Sequence, residues 1–197
     1  MAIINEEQIA KVADLFKNLP ETGKGLNFYS YMKDGQEVVD KEKYPPFEHP
    51  QTINFLFFTV MQDFGFWYGD EHGYLEPLYG GFYNDYKRVK GSDLLWKMCL
   101  QAMMMDEMQF EPRRLAEIKP FELAEIFSDK RGPVPWPDFE TRFKMTRAYG
   151  NWFVNEGARP ANILLLANQE EESLKEFLCW MKKIPGYDKD NFQKRNQ

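Results

Sequence analysis

Asp129 is the carboxylate whose place in the sequence best suits chemistry. It follows a predicted buried helix and opens a loop at residues 128–137, which contains one glycine and three prolines. A carboxylate in such a place can stabilise positive charge on a substrate. The commoner role of an Asp at this position is to cap a helix end or a turn. The residues alone leave both interpretations open.

Phe66 and Trp67 offer flat faces at the end of the most apolar stretch, residues 53–67, which reads INFLFFTVMQDFGFW. Aromatic rings can sandwich a base, although filling a core is their commoner use. A helix that is apolar on all sides is surrounded by protein. We therefore predict that residues 53–67 form the central helix of an all-α domain. The stretch is too short and too interrupted by polar residues to span a bilayer.

The composition of the 197-residue chain narrows the classes of function. A net charge of −6 argues against a protein that coats nucleic-acid backbone, but allows a nucleotide monomer as ligand. Neither a signal peptide nor a transmembrane segment is predicted, so the cytoplasm is the expected location. Cys99 and Cys179 are predicted to be buried thiols on separate helices. With only His49 and His72 besides, no metal or cofactor is expected.

Most other elements are predicted from hydrophobic spacing and turn residues. A short hairpin is expected around residues 34–35, and a loop or a small β-ribbon at residues 69–88. Ser92 is expected to cap a helix. The remaining helices are predicted at about residues 5–20, 112–118, 120–127, 137–155, 161–167, 168–183 and 192–197.

The apolar stretch resembles the signature of the queuosine salvage protein family, the queuosine 5'-phosphate N-glycosylases. That signature has the form V-N-x-x-F-x-T-x-x-x-N-F-x-F-W and carries part of the base pocket. Val60 stands where an acidic residue is expected, and Asp63 replaces an Asn. The residues at matching places are Asn54, Phe57, Thr59, Phe64, Phe66 and Trp67.

Further segments resemble the same family in the same order. Residues 95–99 are similar to its G-Y-W-x-L-C segment, and residues 126–129 to its I-L-R-S-D. Residues 137–142 are similar to P-L-x-E-E-R, and residues 192–197 to F-Y-K-R-A-Q. The resemblance covers roughly residues 50–197.

The resemblance implies an all-α fold similar to that of helix-hairpin-helix DNA glycosylases. It also implies hydrolysis of the N-glycosidic bond of queuosine 5'-monophosphate, or of a related deazaguanine nucleotide, to release queuine. Family members continue into an Asp-Tyr-Arg motif that supplies the acidic residue at the reacting centre. The chain lacks that motif, so residues 1–197 are expected to form a single helical domain that is C-terminally incomplete relative to the family. The chain is then a truncated member, or a second chain completes it, or it has lost the chemistry.

The resemblance also assigns roles to particular residues. Phe66 and Trp67 would stack on the base, Ser92 and Asp93 would read its polar edges, and Lys194 would meet the 5'-phosphate. Asp129 is the catalytic candidate in the portion present. The expected partner is a small-molecule nucleotide, without direct DNA or RNA binding and without a membrane. The alternative is a non-catalytic helical module that binds a modified nucleoside or a protein partner.

Overall fold

The computed structural model of the chain describes residues 30–33, 36–39, 44–46, 48–69, 75–77, 79–83, 87–129, 132–168 and 173–187. Within these ranges the secondary structure is mostly helical, which confirms the predicted all-α class. The likeness to helix-hairpin-helix DNA glycosylases stays a prediction. The helices are α1 (Thr52–Gln62), α2 (Gly91–Met105), α3 (Pro112–Glu117), α4 (Pro120–Ile126), α5 (Phe139–Asn155), α6 (Pro160–Asn168) and α7 (Ser173–Met181).

Short antiparallel ribbons accompany the helices in the described ranges. The hairpin expected around residues 34–35 is confirmed, because Lys33 pairs with Gln36. The expected β-ribbon is also confirmed, with a register shift between Gly80 and Phe82. The pairs are β1 (Ser30–Lys33) with β2 (Gln36–Val39), β3 (Trp67–Gly69) with β4 (Leu75–Pro77), β5 (Tyr79–Tyr83) with β6 (Lys87–Lys90), and β7 (Ser128–Asp129) with β8 (Gly132–Pro133).

The chain divides into two compact units, Met1–Asp40 and Lys41–Gln197. In the first unit the structure describes the β1–β2 hairpin; the predicted helix at residues 5–20 lies outside the described residues. The second unit contains all seven described helices and the buried core. The prediction of a single domain over residues 1–197 is not decided by this division, because separate compact units need not fold independently.

Helix α1 lies at the centre of the core, as its all-round apolar sequence predicts. Phe55 and Phe58 are completely buried on it. The Phe58 ring stacks on Phe110 with 4.6 Å between centroids, and Phe55 meets the same ring edge-on at 5.9 Å. Such aromatic pairs stabilise a core beyond their burial of area. The exception is Val60, which is 45% exposed.

The predicted length of the central helix is wrong at its C-terminal end. The sequence predicts a helix through Trp67, but α1 ends at Gln62 and Trp67 begins strand β3. The N–H of Phe64 donates to the Gln62 carbonyl, which is incompatible with continued helix. Gly65 then adopts a φ of +64°, a left-handed conformation that glycine adopts without steric cost. The last five residues of the aromatic signature, residues 63–67, therefore lie outside the helix.

Helices α6 and α7 are less buried than their sequences predict. Residues 161–167 are predicted to form a buried helix, yet Leu165 is 61% exposed and both of its leucine neighbours are exposed as well. Pro160, Ile163 and Ala167, spaced three and four residues apart, are buried on α6. On α7, Leu174 is 70% exposed. The prediction of burial is wrong here because an apolar helix buries only the face that a neighbouring element covers.

The two cysteines differ in their surroundings. Cys99 on α2 is completely buried, as predicted, but Cys179 on α7 is exposed, so the prediction of two buried thiols is wrong for Cys179. Burial raises the pKa of the Cys99 thiol from 9.0 to about 12. The nearby charges of Asp63 and Arg142 act on this pKa in opposite directions, Asp63 raising it and Arg142 lowering it.

We expect only one thiol of the native protein to react rapidly with a disulfide reagent near pH 8. The reacting species is the thiolate, which Cys99 does not form at that pH because its pKa is about 12. Cys179→Ser should remove the fast phase, and denaturant should release the slow thiol. Rapid reaction of both thiols in the folded protein would contradict the burial.

Because folding raises the pKa of the Cys99 thiol, the contribution of this thiol to the free energy of unfolding is complete below about pH 9 and falls as the pH rises toward 12.

Candidate functional site

The four residues that follow α1, residues 63–66, are held in place by Arg142 of α5; we refer to them as the 63–66 segment. The Arg142 side chain is completely buried. Its guanidinium donates to the carbonyls of Gln62 at 2.6 Å, of Pro137 at 3.0 Å, and of Phe64. A positive charge at the C-terminus of a helix has the favourable sign for the helix dipole. Arg142 therefore fixes both the end of α1 and the start of the segment.

A buried polar network extends this contact into α5. The Gln62 side-chain amide donates to the Thr146 hydroxyl at 2.9 Å. That hydroxyl in turn donates to the Arg142 carbonyl, one helical turn earlier, at 2.8 Å. The guanidinium carbon of Arg142 also lies 4.1 Å from the centre of the Phe64 ring, a distance typical of cation–π contact. These contacts restrict the backbone on which the candidate base-binding residues stand.

Asp63 binds the first turn of α2. Its Oδ2 accepts a hydrogen bond from the Ser92 hydroxyl at 2.9 Å and another from Trp96 Nε1 at 3.1 Å. Ser92 and Trp96 are four residues apart and therefore lie on one face of the helix. The predicted role of Ser92 as N-cap is wrong, because α2 begins at Gly91 and Ser92 lies within it. Its hydroxyl proton is already donated to Asp63, so Ser92 can offer a ligand only its oxygen lone pairs.

The ring of Phe66, the last residue of the 63–66 segment, contacts Trp136, which in turn contacts Phe127. We call these three rings the aromatic cluster. Phe66 is half-buried and meets Trp136 edge-on, with 5.7 Å between centroids. Trp136 lies 5.0 Å from Phe127. The Arg142 guanidinium is 5.2 Å from the centre of the Trp136 ring. The cluster joins residues from the end of α1 to residues between α4 and α5.

Trp136 carries a buried polar atom without a hydrogen-bond partner, as do Thr59 and Tyr149 among the described residues. The side chain is only 5% exposed, and its Nε1 has no hydrogen-bond partner in the part of the chain that the structure describes. A buried N–H without a partner costs about 1–3 kcal/mol, so each such group calls for an explanation. A ligand that presents an acceptor to this N–H would remove that cost.

Asp129, the catalytic candidate, lies in strand β7, two residues after Phe127 of the aromatic cluster. It is 7% exposed. The N–H of Val134 donates to the Phe127 carbonyl at 3.0 Å and closes the β7–β8 ribbon. The prediction of a loop throughout residues 128–137 is therefore wrong at the ribbon. The prolines of this segment predict a loop, but Asp129 pairs with Gly132 through the backbone. This pairing places the Asp129 side chain at a buried position of β7.

The predicted site residues are only partly brought together. Phe66 stands on the 63–66 segment, and Ser92 is bound to the same segment through Asp63. Asp93 lies in the first turn of α2 and is exposed. The side chain of Trp67 and the whole of Lys194 lie outside the described residues.

Three residues of the site escape reasoning from the sequence: Asp63, Trp136 and Arg142. Asp63 has a visible signal, because it replaces the Asn of the family signature. Arg142 ends the segment that resembles P-L-x-E-E-R, yet nothing in that segment indicates that the arginine is buried. On the same helix, the sequence predicts an i, i+4 ion pair between Glu140 and Lys144, and this pair is confirmed at 2.6 Å.

Among the described residues, no group of three or more His, Cys, Asp or Glu side chains is placed to hold a metal ion. None of the helices formed by those residues is long and apolar enough to cross a membrane. The sequence matches no protein-family model and no curated protein.

Proposed function

We propose that this chain belongs to the queuosine salvage family and acts on queuosine 5'-monophosphate, or on a related deazaguanine nucleotide, to release queuine. The observation that carries the proposal is the meeting of segments that resemble the family but are far apart in sequence. The 63–66 segment binds Trp96, of the segment at residues 95–99, through Asp63, and it binds Arg142, of the segment at residues 137–142, through its backbone. On this proposal the protein is a cytoplasmic N-glycosylase that recovers a base for tRNA modification.

The aromatic cluster and the 63–66 segment would form the base site. Phe66, together with Trp67, would supply flat faces for the deazaguanine ring, as flipped bases are commonly held. The buried Trp136 Nε1 would donate to a carbonyl oxygen on the base and so acquire the partner that it lacks. Asp63 would keep the Ser92 hydroxyl oxygen turned toward the same region, where its lone pairs would accept a hydrogen bond from an N–H on the base edge.

In the proposed reaction the bond between the base nitrogen and C1′ of the ribose breaks. Water supplies a hydroxyl to C1′, and a proton goes to the departing nitrogen. The transition state resembles an oxocarbenium ion, so a carboxylate near the ribose stabilises it electrostatically. Asp129 is the carboxylate that we assign to this role. Lys194 would bind the 5'-phosphate.

A second candidate function is supported by a different surface. Leu165 on α6 and Leu174 on α7 are 61% and 70% exposed, respectively. Exposed apolar residues on neighbouring helices are typical of protein contact surfaces. The chain would then be a non-catalytic helical module that binds a modified nucleoside or a protein partner.

The deciding experiment measures base release from queuosine 5'-monophosphate by chromatography, with queuine binding measured by calorimetry on the same sample. Turnover that falls about 100-fold in Asp129→Asn would support the full proposal. Binding without turnover would mark a base site without a complete reacting centre. The absence of both would favour the helical module.

We expect Trp136→Phe to weaken queuine binding about fivefold to tenfold, because it removes one hydrogen-bond donor and retains a ring. The matched control is Trp152→Phe, which alters a half-buried tryptophan on α5. Trp152 lies ten residues after Arg142, about 15 Å along the helix. Equal loss of affinity in both variants, or none in Trp136→Phe, would contradict the assignment. Thermal melting of each variant separates loss of binding from loss of fold.

A further inference from the structure

A cavity of about 380 Å³ lies at a distance from the candidate base site. Val154 in its wall follows Arg142 by twelve residues on α5, which corresponds to about 18 Å along the helix axis. The volume falls within the usual range for small-molecule sites, roughly 300–1,000 Å³. The cavity is lined by residues 108, 111–114, 153–154 and 157–159.

Arginines dominate the charge of the cavity. Arg113, Arg114 and Arg159 line it, against the single carboxylate of Glu111. This local excess of positive charge stands in a chain whose net charge is −6. Positive groups gathered around one concave surface raise the local potential and attract anions.

Two of these arginines, Arg113 and Arg159, are available to a ligand, because only the third is in an ion pair within the described residues. Arg114 is paired with Asp106, and this contact holds the pKa of that carboxyl below its ordinary value. In the described part of the chain, no ion pair is found for the guanidinium of Arg113 or of Arg159, and both residues are exposed.

Glu111 is committed to neighbouring amides. Its Oε1 accepts hydrogen bonds from the side chains of Gln51 at 3.0 Å and Asn54 at 3.2 Å. Because the carboxylate is held by these two donors at the beginning of α1, it is not placed to neutralise both free guanidiniums.

The rest of the cavity wall is apolar. Phe153 is completely buried and Pro112 is buried, so they support the wall from behind. Met108 and Val154 are 50% and 43% exposed at the same cavity. Apolar walls with a few convergent polar groups are typical of sites for small organic molecules.

We propose that this cavity binds a small organic anion, with an apolar ring against Met108 and Val154 and a carboxylate or phosphate head between Arg113 and Arg159. Guanidinium groups bind both kinds of head through charge-assisted hydrogen bonds. The site is separate from the proposed base site, and the proposal does not depend on base release.

The test uses calorimetry on the full chain with 2-naphthoate and 1-naphthyl phosphate, each an apolar ring with one of the two heads. We expect at least one to bind with a dissociation constant below about 1 mM and to bind more weakly as salt is added. The stronger of the two identifies the preferred head. In Arg113→Gln/Arg159→Gln, the affinity should fall about tenfold or more, because both charged donors are lost.

Two controls make the result specific. Lys144→Gln removes one positive charge from an exposed position of α5 outside the cavity and should leave the affinity unchanged. The uncharged 2-naphthalenemethanol should bind more weakly than either anion. Binding of the neutral compound as tightly as the anions, an unchanged affinity in the double variant, or no binding of either anion at ~10 mM would overturn the proposal. Unaltered queuine binding in the double variant would show that the two sites are independent.

Discussion

Arg142→Met is expected to lower the free energy of unfolding by about 3–5 kcal/mol. The substitution fills much of the same volume but removes every donor of the guanidinium. The carbonyl of Gln62 would then lose a partner at a buried position, and those of Phe64 and Pro137 would lose partners at partly buried positions. Unsatisfied buried acceptors cost far more than a lost hydrogen bond at the surface. Equilibrium denaturation in urea, followed by circular dichroism, measures the change.

Arg147→Met is the matched control on the same helix. Arg147 is exposed and its Nε donates to a single carbonyl, that of Ala116, at 3.2 Å. A loss of less than about 1 kcal/mol is expected for it. Arg142→Lys should remain strongly destabilised, because an ammonium lacks the planar fork that reaches several carbonyls at once. A loss below about 1 kcal/mol in Arg142→Met would show that the buried guanidinium does not hold the segment.

Gly150→Ala is expected to destabilise the protein by about 3 kcal/mol or more, or to prevent folding. Helix α5 crosses α3 at Gly150 with almost no space between them. A Cβ at position 150 would lie 2.3 Å from the Ala116 nitrogen and 2.6 Å from the Pro112 carbonyl oxygen. Both atoms belong to the backbone of α3, so no side-chain rotation relieves the clash. The helices would have to separate. Thermal and urea denaturation give the magnitude.

Asn151→Ala controls for the position. Asn151 is the next residue of α5 and is exposed, so alanine there should alter stability by no more than about 0.5 kcal/mol or raise it slightly through helix propensity. Alanine also has a higher helix propensity than glycine, which works against the predicted loss in Gly150→Ala. A neutral or stabilising result at position 150 would therefore mean that α3 and α5 do not approach as closely as the structure has them.

The sequence by itself determined the local elements. Prolines at the first helical positions and apolar spacing placed α3 and α4 within one residue of their observed bounds. The apolar spacing of α2 predicts a buried face, and every member except the half-buried Ala102 is buried: Leu95, Met98, Cys99 and Met103. These predictions succeed because periodicity and turn chemistry act over a few residues. In the site, Phe66 and Ser92 could be named from the family resemblance.

The tertiary structure alone decided where α1 ends and what surrounds the candidate site. Helix α1 stops at Gln62 because Arg142, eighty residues later, takes the carbonyls at its end. Asp63 binds Ser92 and Trp96, which follow it by 29 and 33 residues, respectively. The orphan N–H of Trp136 arises only because the ring is buried by its neighbours. Periodicity tells which residues share a face of a helix. Whether that face is covered depends on contacts between distant parts of the chain, as exposed Leu165 and buried Arg142 both show.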